Sequence, residues 1–342
     1  MAVNVTYLLG AGASFDIVPL VREVKLAGTT IPGISQDILN LSNKLKVRKE
    51  HLSSEDNSFL DKMVKDFLEV GTQARFFSSP DTYARSLFLK GGQREMTSRL
   101  KRVLSFYLAW KQLNNLNAVD RRYIPFLAGI LDEQEDIRIP NNIKILSWNY
   151  DFQLELALRH FKPMMSDLAD IQDHFKILPA TKETTQPSIV HLNGVSGMFK
   201  DHRGKYFNPC ERKEHISEED FLLKQAIEDF KVWSTRGHDI DDLLSFAWEI
   251  DAYPRIQEAV RIMMKTEILV VVGYSFPFFN REIDRKLIQN FFDSCQSTPR
   301  IYIQDPAFGQ DQVTFFKERF KTNNAIITPI NSVDQFFLPP EL

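Results

Sequence analysis

Short apolar runs, each followed by glycine or small polar residues, recur at both ends of the chain. The run Ile268–Val272 is aliphatic at every position, which is typical of a strand covered on both faces of a parallel sheet. The same pattern, in weaker form, predicts further strands at residues 3–9, 143–148, 188–192, 300–304 and 325–328. The strands are separated by segments long enough for helical crossovers. The pattern therefore predicts an α/β fold with a doubly wound, mostly parallel, Rossmann-like sheet.

From about residue 35 to about residue 135 the apolar positions recur every three or four residues, which predicts helices. One stripe is formed by Phe59, Leu60, Met63, Val64, Phe67 and Leu68, and a second by Leu100, Val103, Leu104, Tyr107 and Leu108. We expect Gly71 to end the first helix as a C-cap, and Ser79-Pro80 to begin the next as N-cap and first residue. The segment is too long for one crossover, so we interpret it as a helical insertion.

The stretch from about residue 200 to about residue 250 has a mixed pattern. Residues 204–209 favour a turn or hairpin, and residues 217–220 are typical of the cap of a following helix. The chain contains no low-complexity tract and no linker rich in glycine, serine or proline. We therefore predict one domain over residues 1–342, with the helical insertion and this small mixed module inside it.

Composition narrows the classes of partner. The 342 residues carry a formal net charge of −3, which gives no general attraction to nucleic acid or to an anionic membrane. No apolar run approaches the ~20 residues that a membrane-spanning helix needs. The two cysteines, Cys210 and Cys295, are far apart and form no CxxC pair, which favours a reducing compartment. We expect a cytoplasmic protein that binds neither membrane nor nucleic acid directly.

The first strand leads directly into the loop Gly10-Ala11-Gly12-Ala13-Ser14. Glycine allows a tight turn and a close approach to a ligand, and free N–H groups at such a turn favour negative charge. The usual dinucleotide fingerprint has a third glycine where this chain has Phe15. An ordinary hydride-transferring Rossmann domain is therefore a poor fit.

Polar side chains follow four other predicted strands. Asn149 and Asp151 follow one, His191 closes the next, Gly273 and Ser275 follow the most apolar one, and Asp305 follows the one after it. Ligands of doubly wound sheets bind outside the carboxyl ends of the strands, so this placement favours a site there. Each feature also has a structural interpretation: a helix cap, a buried core histidine or a tight turn.

The order of these motifs resembles the sirtuin-like superfamily. Gly10-Ala11-Gly12-Ala13-Ser14 is similar to its GAGxS loop, Trp148-Asn149-Tyr150-Asp151 to its QNID segment, and His191-Leu192-Asn193-Gly194 to its catalytic histidine segment. Gly273-Tyr274-Ser275 is similar to its GxS phosphate turn, and Gln304-Asp305 falls where the family contacts the adenosine ribose. The resemblance covers most of the chain and skips the helical insertion. It implies a sirtuin-like fold that binds NAD⁺.

Departures from the family pattern indicate the branch. Between His191 and Gly273 the chain has one cysteine where classical deacylases have a zinc ribbon, and it has neither their GIPDFR loop nor their VxFGE strand. The chain looks more like the sirtuin-like effectors of bacterial antiphage defence, which consume NAD⁺ once a partner detects infection. This resemblance implies an NAD⁺ glycohydrolase that uses NAD⁺ as substrate, needs no metal, and is controlled by a separate sensor protein or by homo-oligomerisation.

The same resemblance implies a role for each motif residue. His191 is expected to act as the base, Asn149 to position water and ribose, and Asp151 to bind the nicotinamide carboxamide. The N–H groups of the loop Gly10, Ala11, Gly12, Ala13 and Ser14, together with Gly273 and Ser275, are expected to hold the pyrophosphate, and Asp305 the adenosine ribose.

Two alternatives stay open at the level of sequence: an NAD-dependent protein deacylase, and a non-catalytic nucleotide-binding subunit. The deacylase lacks its ribbon and its substrate strand here. A pure binder needs no base, so Asn149 and His191 speak against it. The acids of residues 238–242 are more typical of a solvated turn than of a metal site, and Cys210 has no sequence context for nucleophilic work.

Overall fold

The computed structural model describes residues 2–21, 23–26, 29–46, 52–91, 93–113, 119–132, 136–165, 168–179, 184–197, 199–201, 206–207, 227–228, 231, 240–242, 244–249, 253–322 and 324–342. Its strands are β1 (Val5–Leu9), β2 (Val24–Leu26), β3 (Thr29–Ile31), β4 (Ile143–Ser147), β5 (Ile177–Leu178), β6 (Ile189–His191), β7 (Phe199–Asp201), β8 (Tyr206–Phe207), β9 (Ile240–Asp242), β10 (Ile268–Val272), β11 (Arg300–Gln304) and β12 (Ile326–Ile330). Its helices are α1 (Ile34–Lys46), α2 (Ser54–Phe76), α3 (Pro80–Leu89), α4 (Arg94–Leu113), α5 (Tyr123–Ile130), α6 (Gln153–Phe161), α7 (Leu168–His174), α8 (Pro254–Met263), α9 (Arg281–Ser294) and α10 (Gln310–Phe320).

The chain divides into two compact units. The sheet unit comprises Met1–Ser14, Val119–Gly194 and Ala247–Leu342, and the helical unit comprises Phe15–Ala118 and Val195–Phe246. The segments that the sequence analysis treated as separate, the insertion and the small mixed module, thus fall within the same unit. Helix α5, which lies within the predicted bounds of the insertion, belongs to the sheet unit.

The sheet unit contains seven strands in the order β12-β11-β10-β1-β4-β6-β5. All neighbouring strands pair in parallel, which confirms the predicted α/β class and the strands expected from the apolar runs. Short β5 was not anticipated, because two residues carry no periodicity. The chain moves outward from β1 to β4 and β6, then returns to β10 on the other side of β1. The topological switch point therefore lies between β1 and β10, where open α/β sheets bind their ligands.

Alternate residues of the strands enter two separate cores, one on each face. Leu8, Val271 and Ile303 pack with α8, α9 and α10 in one core. Tyr7 and Val270 pack with α5, α6 and α7 in the other. Both faces are covered, which explains why the central strands are apolar at nearly every position.

In the helical unit, the predicted helices form with one difference at a boundary. Ser79 caps α3 by accepting a hydrogen bond from the Thr82 amide, as predicted. The expectation that Gly71 ends a helix is wrong, because α2 continues to Phe76. A Cβ at Gly71 would lie 2.8 Å from Leu39 Cδ2, so this glycine allows α1 and α2 to pack closely.

The described parts of the small mixed module form a three-stranded sheet in the order β8-β7-β9. β8 lies within the expected turn or hairpin, and the flanking residues 202–205 and 208–209 lie outside the described residues. The cap predicted at residues 217–220, Cys210, and residues 238–239 of the acidic turn also lie outside them. Among the residues that are described, no helix is long and apolar enough to cross a membrane.

Candidate functional site

The carboxyl ends of the central strands are aligned in register. Leu9 pairs with Ser147 on one side and with Val272 on the other, His191 pairs with Ser147, and Gln304 with Val272. The predicted site residues at or just after these positions therefore lie along one edge of the sheet, as expected from the sequence. The edge includes the switch point between β1 and β10.

Three of the predicted cofactor-binding glycines pack against one another at the switch point. A Cβ at Gly10 would lie 2.6 Å from the Gly273 carbonyl oxygen, and a Cβ at Gly12 would lie 2.8 Å from Gly273 Cα. Gly273 has a φ of +57°, and its own Cβ would lie 2.5 Å from the Gly12 carbonyl carbon. These glycines allow two backbone loops to touch, which is a structural reason independent of any ligand.

Backbone groups of the Gly10–Ser14 loop are largely engaged within the protein. The N–H groups of Gly10, Gly12 and Ala13 donate to the carbonyls of Val272, Gly273 and Gly10. For these three groups, phosphate binding of the predicted kind would require an existing hydrogen bond to break. The assignment of Ala11 and the rest of this loop to NAD⁺ stays a prediction.

Arg122 holds the carbonyl side of the same loop. Its Nη2 donates to the carbonyl oxygens of Gly12 at 2.9 Å and Ala13 at 3.1 Å. Its Nε and Nη2 also donate to the fully buried Asp120 carboxylate, at 2.8 and 2.6 Å. A two-pronged, charge-assisted contact of this kind fixes both position and orientation. Nothing in the sequence pattern pointed to this pair, since the two residues lie more than a hundred positions from the loop.

Ser14 forms the centre of a buried polar cluster. Asn149 Nδ2 donates to Ser14 Oγ at 3.2 Å, and Ser14 Oγ and Tyr123 Oη are 3.0 Å apart. All three side chains are buried. The predicted loop residue Ser14 and the predicted catalytic residue Asn149 are thus in direct contact.

Asp151 lies two residues before the first residue of helix α6 and is buried. Its Oδ1 accepts a hydrogen bond from the Gln153 amide at 3.2 Å, a local contact just before the N-cap residue Phe152. Burial raises the pKa of Asp151 to about 6, although the hydrogen bonds from Gln153 and Ser14 and the charge of His191 act in the opposite direction. Its role toward nicotinamide stays a prediction.

His191 forms a buried ion pair that the sequence analysis missed. Its Nε2 lies 3.1 Å from Oε1 of Glu155, and both side chains are about 1 % exposed or less. Gln172 Nε2 donates to the same Glu155 oxygen at 3.1 Å. Burial works against a charged imidazole, but the Glu155 carboxylate outweighs it and holds the pKa of His191 above its ordinary value.

The signal for Glu155 in the sequence was present but weak. It is the one charged residue in Gln153–Leu158, a stretch in which every residue is buried. A fully buried carboxylate needs a partner. Only the pairing of β6 with β4 shows that this partner is His191, 36 residues further along the chain.

The remaining residues at this edge of the sheet differ in exposure and in hydrogen bonding. Ser275 is exposed. Asp305 accepts a hydrogen bond from the Ala307 amide at 2.8 Å and forms a local turn. Gln304 Nε2 donates to the carbonyls of Ser332 and Gln335, both at 2.6 Å, and its Oε1 accepts from the Phe337 amide. Gln304 thus holds the C-terminal segment, and the roles of Ser275 and Asp305 stay predictions.

The described residues contain no group of three or more His, Cys, Asp or Glu side chains placed to hold a metal ion.

No family model matches the chain, and no curated protein sequence matches it. Among solved structures, it is similar to a crystal structure of Sir2 in complex with the inhibitor EX-527, 2′-O-acetyl-ADP-ribose and a deacetylated p53 peptide. The identity is 14 %, the match covers 96 % of this chain and 87 % of that chain, and the TM-score is 0.41.

Proposed function

We propose that this protein hydrolyses NAD⁺ to nicotinamide and ADP-ribose. The observation that carries the proposal is the buried His191–Glu155 pair at the aligned strand ends of a doubly wound sheet. Asn149 and Asp151 follow the neighbouring strand, and the switch point adjoins them. A histidine paired with a carboxylate is the usual arrangement for a base that must be held in one orientation. The sequence order of the sirtuin-like motifs supports NAD⁺ as the substrate.

The reaction needs few protein groups. The bond between ribose C1′ and the nicotinamide nitrogen breaks, its electron pair leaves with nicotinamide, and positive charge develops on the ribose. Water adds to C1′ and loses a proton. Neutral His191 accepts this proton, and Glu155 stabilises the imidazolium that results, since its Oε1 lies 3.1 Å from His191 Nε2. Asn149 and Asp151 position the reactants.

The burial of His191 supports control of this activity. Neither ring nitrogen of His191 is accessible to solvent. Hydrolysis therefore requires a rearrangement that admits NAD⁺ and water to the imidazole, and a toxic NAD⁺-consuming enzyme needs such a restraint. We propose that the protein is an antiphage effector and that a separate sensor protein, or assembly of several copies, triggers the rearrangement.

The same burial also favours a second candidate, a non-catalytic nucleotide-binding subunit. An imidazole enclosed together with Glu155 can act as a structural pair without taking part in any reaction.

The deciding experiment measures NAD⁺ turnover by the purified protein, alone and with the products of neighbouring genes, with chromatographic identification of the products. We expect nicotinamide and ADP-ribose from the wild type, and neither product from His191→Ala or Asn149→Ala. The circular dichroism spectra of both variants should match that of the wild type, which shows that they fold. An active, folded His191→Ala protein would contradict the proposed base. Binding of NAD⁺ without turnover in any combination would favour the binding subunit. NAD⁺-dependent transfer of the acetyl group from an acetylated peptide to ADP-ribose would favour a deacylase.

A further inference from the structure

A cavity lies in the sheet unit at the amino ends of the strands, which is the edge opposite the candidate site. Its volume is about 430 Å³, and it is lined by residues at the amino ends of β1 and β4 and along α8. The volume is in the range of cavities that hold small ligands. The lining is polar and includes Thr6, Asn142, Lys144 and Thr266. It contains no aromatic side chain among the described residues, so a ligand gains nothing here from stacking of a base.

Lys144 is the most unusual residue in this cavity. It lies within β4, between the buried residues Ile143 and Ile145, and pairs in register with Thr6 of β1. Its side chain is half-buried. Among the residues described, no carboxylate lies within ion-pair distance of its ammonium group. A partly buried cation with no ionic partner destabilises the fold, so its presence requires another explanation.

Further cations surround Lys144. Arg261, in the last turn of α8, and Lys265, two residues after its end, line the same cavity. Lys176 lines an adjoining cavity. That cavity shares Thr184 and Thr185 with the cavity that contains Lys144. Burial lowers the pKa of Lys144, and the charges of Lys176 and Lys265 lower it further.

Acidic groups near the cavity do not neutralise these cations. Glu258 lines the cavity and attracts Lys144 at longer range, but its Oε2 forms an ion pair with Arg261 Nη1 at 2.6 Å. Glu267 accepts a hydrogen bond from the Asn4 amide. Asp170 and Asp173 line the adjoining cavity and not the one that contains Lys144. The cavity therefore has an excess of positive charge.

We propose that this cavity binds a small phosphorylated anion, with the Lys144 ammonium as the central charged donor and with Lys265 and the neighbouring hydroxyl and amide groups as further donors. Phosphate oxygens accept several hydrogen bonds at once and combine well with ammonium groups. The site is separate from the proposed NAD⁺ site and does not depend on the proposed reaction.

The test is calorimetric titration of the full-length protein, without NAD⁺, with inorganic phosphate and with tripolyphosphate. Sodium chloride at matched ionic strength serves as the reference. We expect saturable binding of at least one of the two anions, weakened about tenfold or more in Lys144→Met. Binding of phosphate itself assigns a ligand with one phosphate group, and binding of tripolyphosphate alone assigns a ligand with several. Lys65→Met, at an exposed lysine of α2, is the matched control and should bind like the wild type.

A second readout separates a ligand site from a general loss of structure. Methionine keeps the length of the side chain and removes the charge, so Lys144→Met should melt at a higher temperature than the wild type when no anion is present. It should also lose the rise in melting temperature that the anion gives the wild type. Equal binding by wild type and Lys144→Met, or no binding of either anion beyond the chloride reference, would overturn the proposal.

Discussion

The side chains at the candidate site serve two functions that are hard to separate from sequence alone. Asp151 accepts a hydrogen bond from the first amide of α6 and is at the same time a buried carboxylate with a pKa raised to about 6. His191 is a fully buried core residue and at the same time the partner of Glu155. The structural and functional interpretations of a residue therefore need not exclude each other. What distinguishes them is the response to substitutions that keep shape and change charge.

Glu155→Gln is the first such substitution. Glutamine still accepts the hydrogen bond from Gln172 but no longer stabilises an imidazolium, so burial then dominates and the pKa of His191 falls. If neutral His191 is the base, the acidic limb of the pH–activity profile moves to lower pH. At pH values between the pKa of Glu155 and the pKa of His191, Glu155 is ionised and His191 is protonated, so the pair stabilises the fold. In that pH range we expect Glu155→Gln to have a free energy of unfolding about 1–3 kcal/mol lower than the wild type.

The measurement is the pH dependence of NAD⁺ hydrolysis and of denaturant unfolding. Glu282→Gln, at an exposed position of α9, is the control and should change neither. A pH–activity profile of Glu155→Gln that coincides with that of the wild type would show that Glu155 does not tune the base.

Gly12→Ala tests whether the loops at the switch point need to touch. The added methyl group would lie 2.8 Å from Gly273 Cα. Because the atoms it meets are backbone atoms and not the end of a flexible side chain, they cannot easily move away. We expect a loss of about 1–3 kcal/mol in the free energy of unfolding, together with loss of NAD⁺ binding. Gly309→Ala is the control, since its nearest neighbour would be a side-chain oxygen at 3.4 Å. Wild-type melting and NAD⁺ binding in Gly12→Ala would refute the packing argument.

At the scale of elements, the turn between β10 and α9 depends on a buried polar network. Phe276 adopts a left-handed backbone conformation with φ of +51°, and Arg319 Nη1 donates to its carbonyl oxygen at 2.6 Å. Tyr274 donates from its hydroxyl to the buried Asp284 carboxylate at 2.8 Å and accepts from Asn280 Nδ2 at 2.9 Å. The sequence predicted a phosphate turn here, and the structure adds how the turn is held.

The network makes stability depend on pH. Burial raises the pKa of Asp284 to about 8, from an ordinary value of 3.8. The folded state therefore binds this proton more tightly than the unfolded chain, and the free energy of unfolding falls as pH rises from about 4 to about 8. Asp284→Asn removes this dependence, so its melting temperature should fall less than that of the wild type between pH 6 and pH 8. Parallel melting curves for the two proteins across that range would contradict the assignment.

At the scale of the whole molecule, the C-terminal segment connects parts of the sheet unit that are distant in sequence. Phe336 packs its ring against Tyr123 and Phe126, with centroid distances of 5.0 and 5.4 Å, and the Arg122 guanidinium lies 5.3 Å from its centroid. The Tyr7 hydroxyl donates to the Phe337 carbonyl oxygen. The last residues of the chain thus support the side chain that holds the glycine loop near its beginning.

Phe336→Ala should therefore affect both stability and the distant loop. We expect a loss of about 3–5 kcal/mol in the free energy of unfolding, because a buried aromatic ring is replaced by a cavity. NAD⁺ binding should weaken because Arg122 loses the ring over which its guanidinium lies. Phe315→Ala, at a ring that is 62 % exposed, is the control for denaturant unfolding and NAD⁺ binding. A change of less than 1 kcal/mol in Phe336→Ala would show that the segment is not part of the core.

The sequence by itself determined the α/β class, the main parallel strands and the edge at which the polar residues meet. It could do so because these features depend on local periodicity and on the rule that parallel strands end at the same edge. It gave no indication of Arg122 and Asp120, only a weak one of Glu155, and it misread Gly71. These residues act through partners tens to hundreds of positions away. Only the tertiary structure brings such partners together, because no sequence period encodes the contact between a residue and a distant backbone.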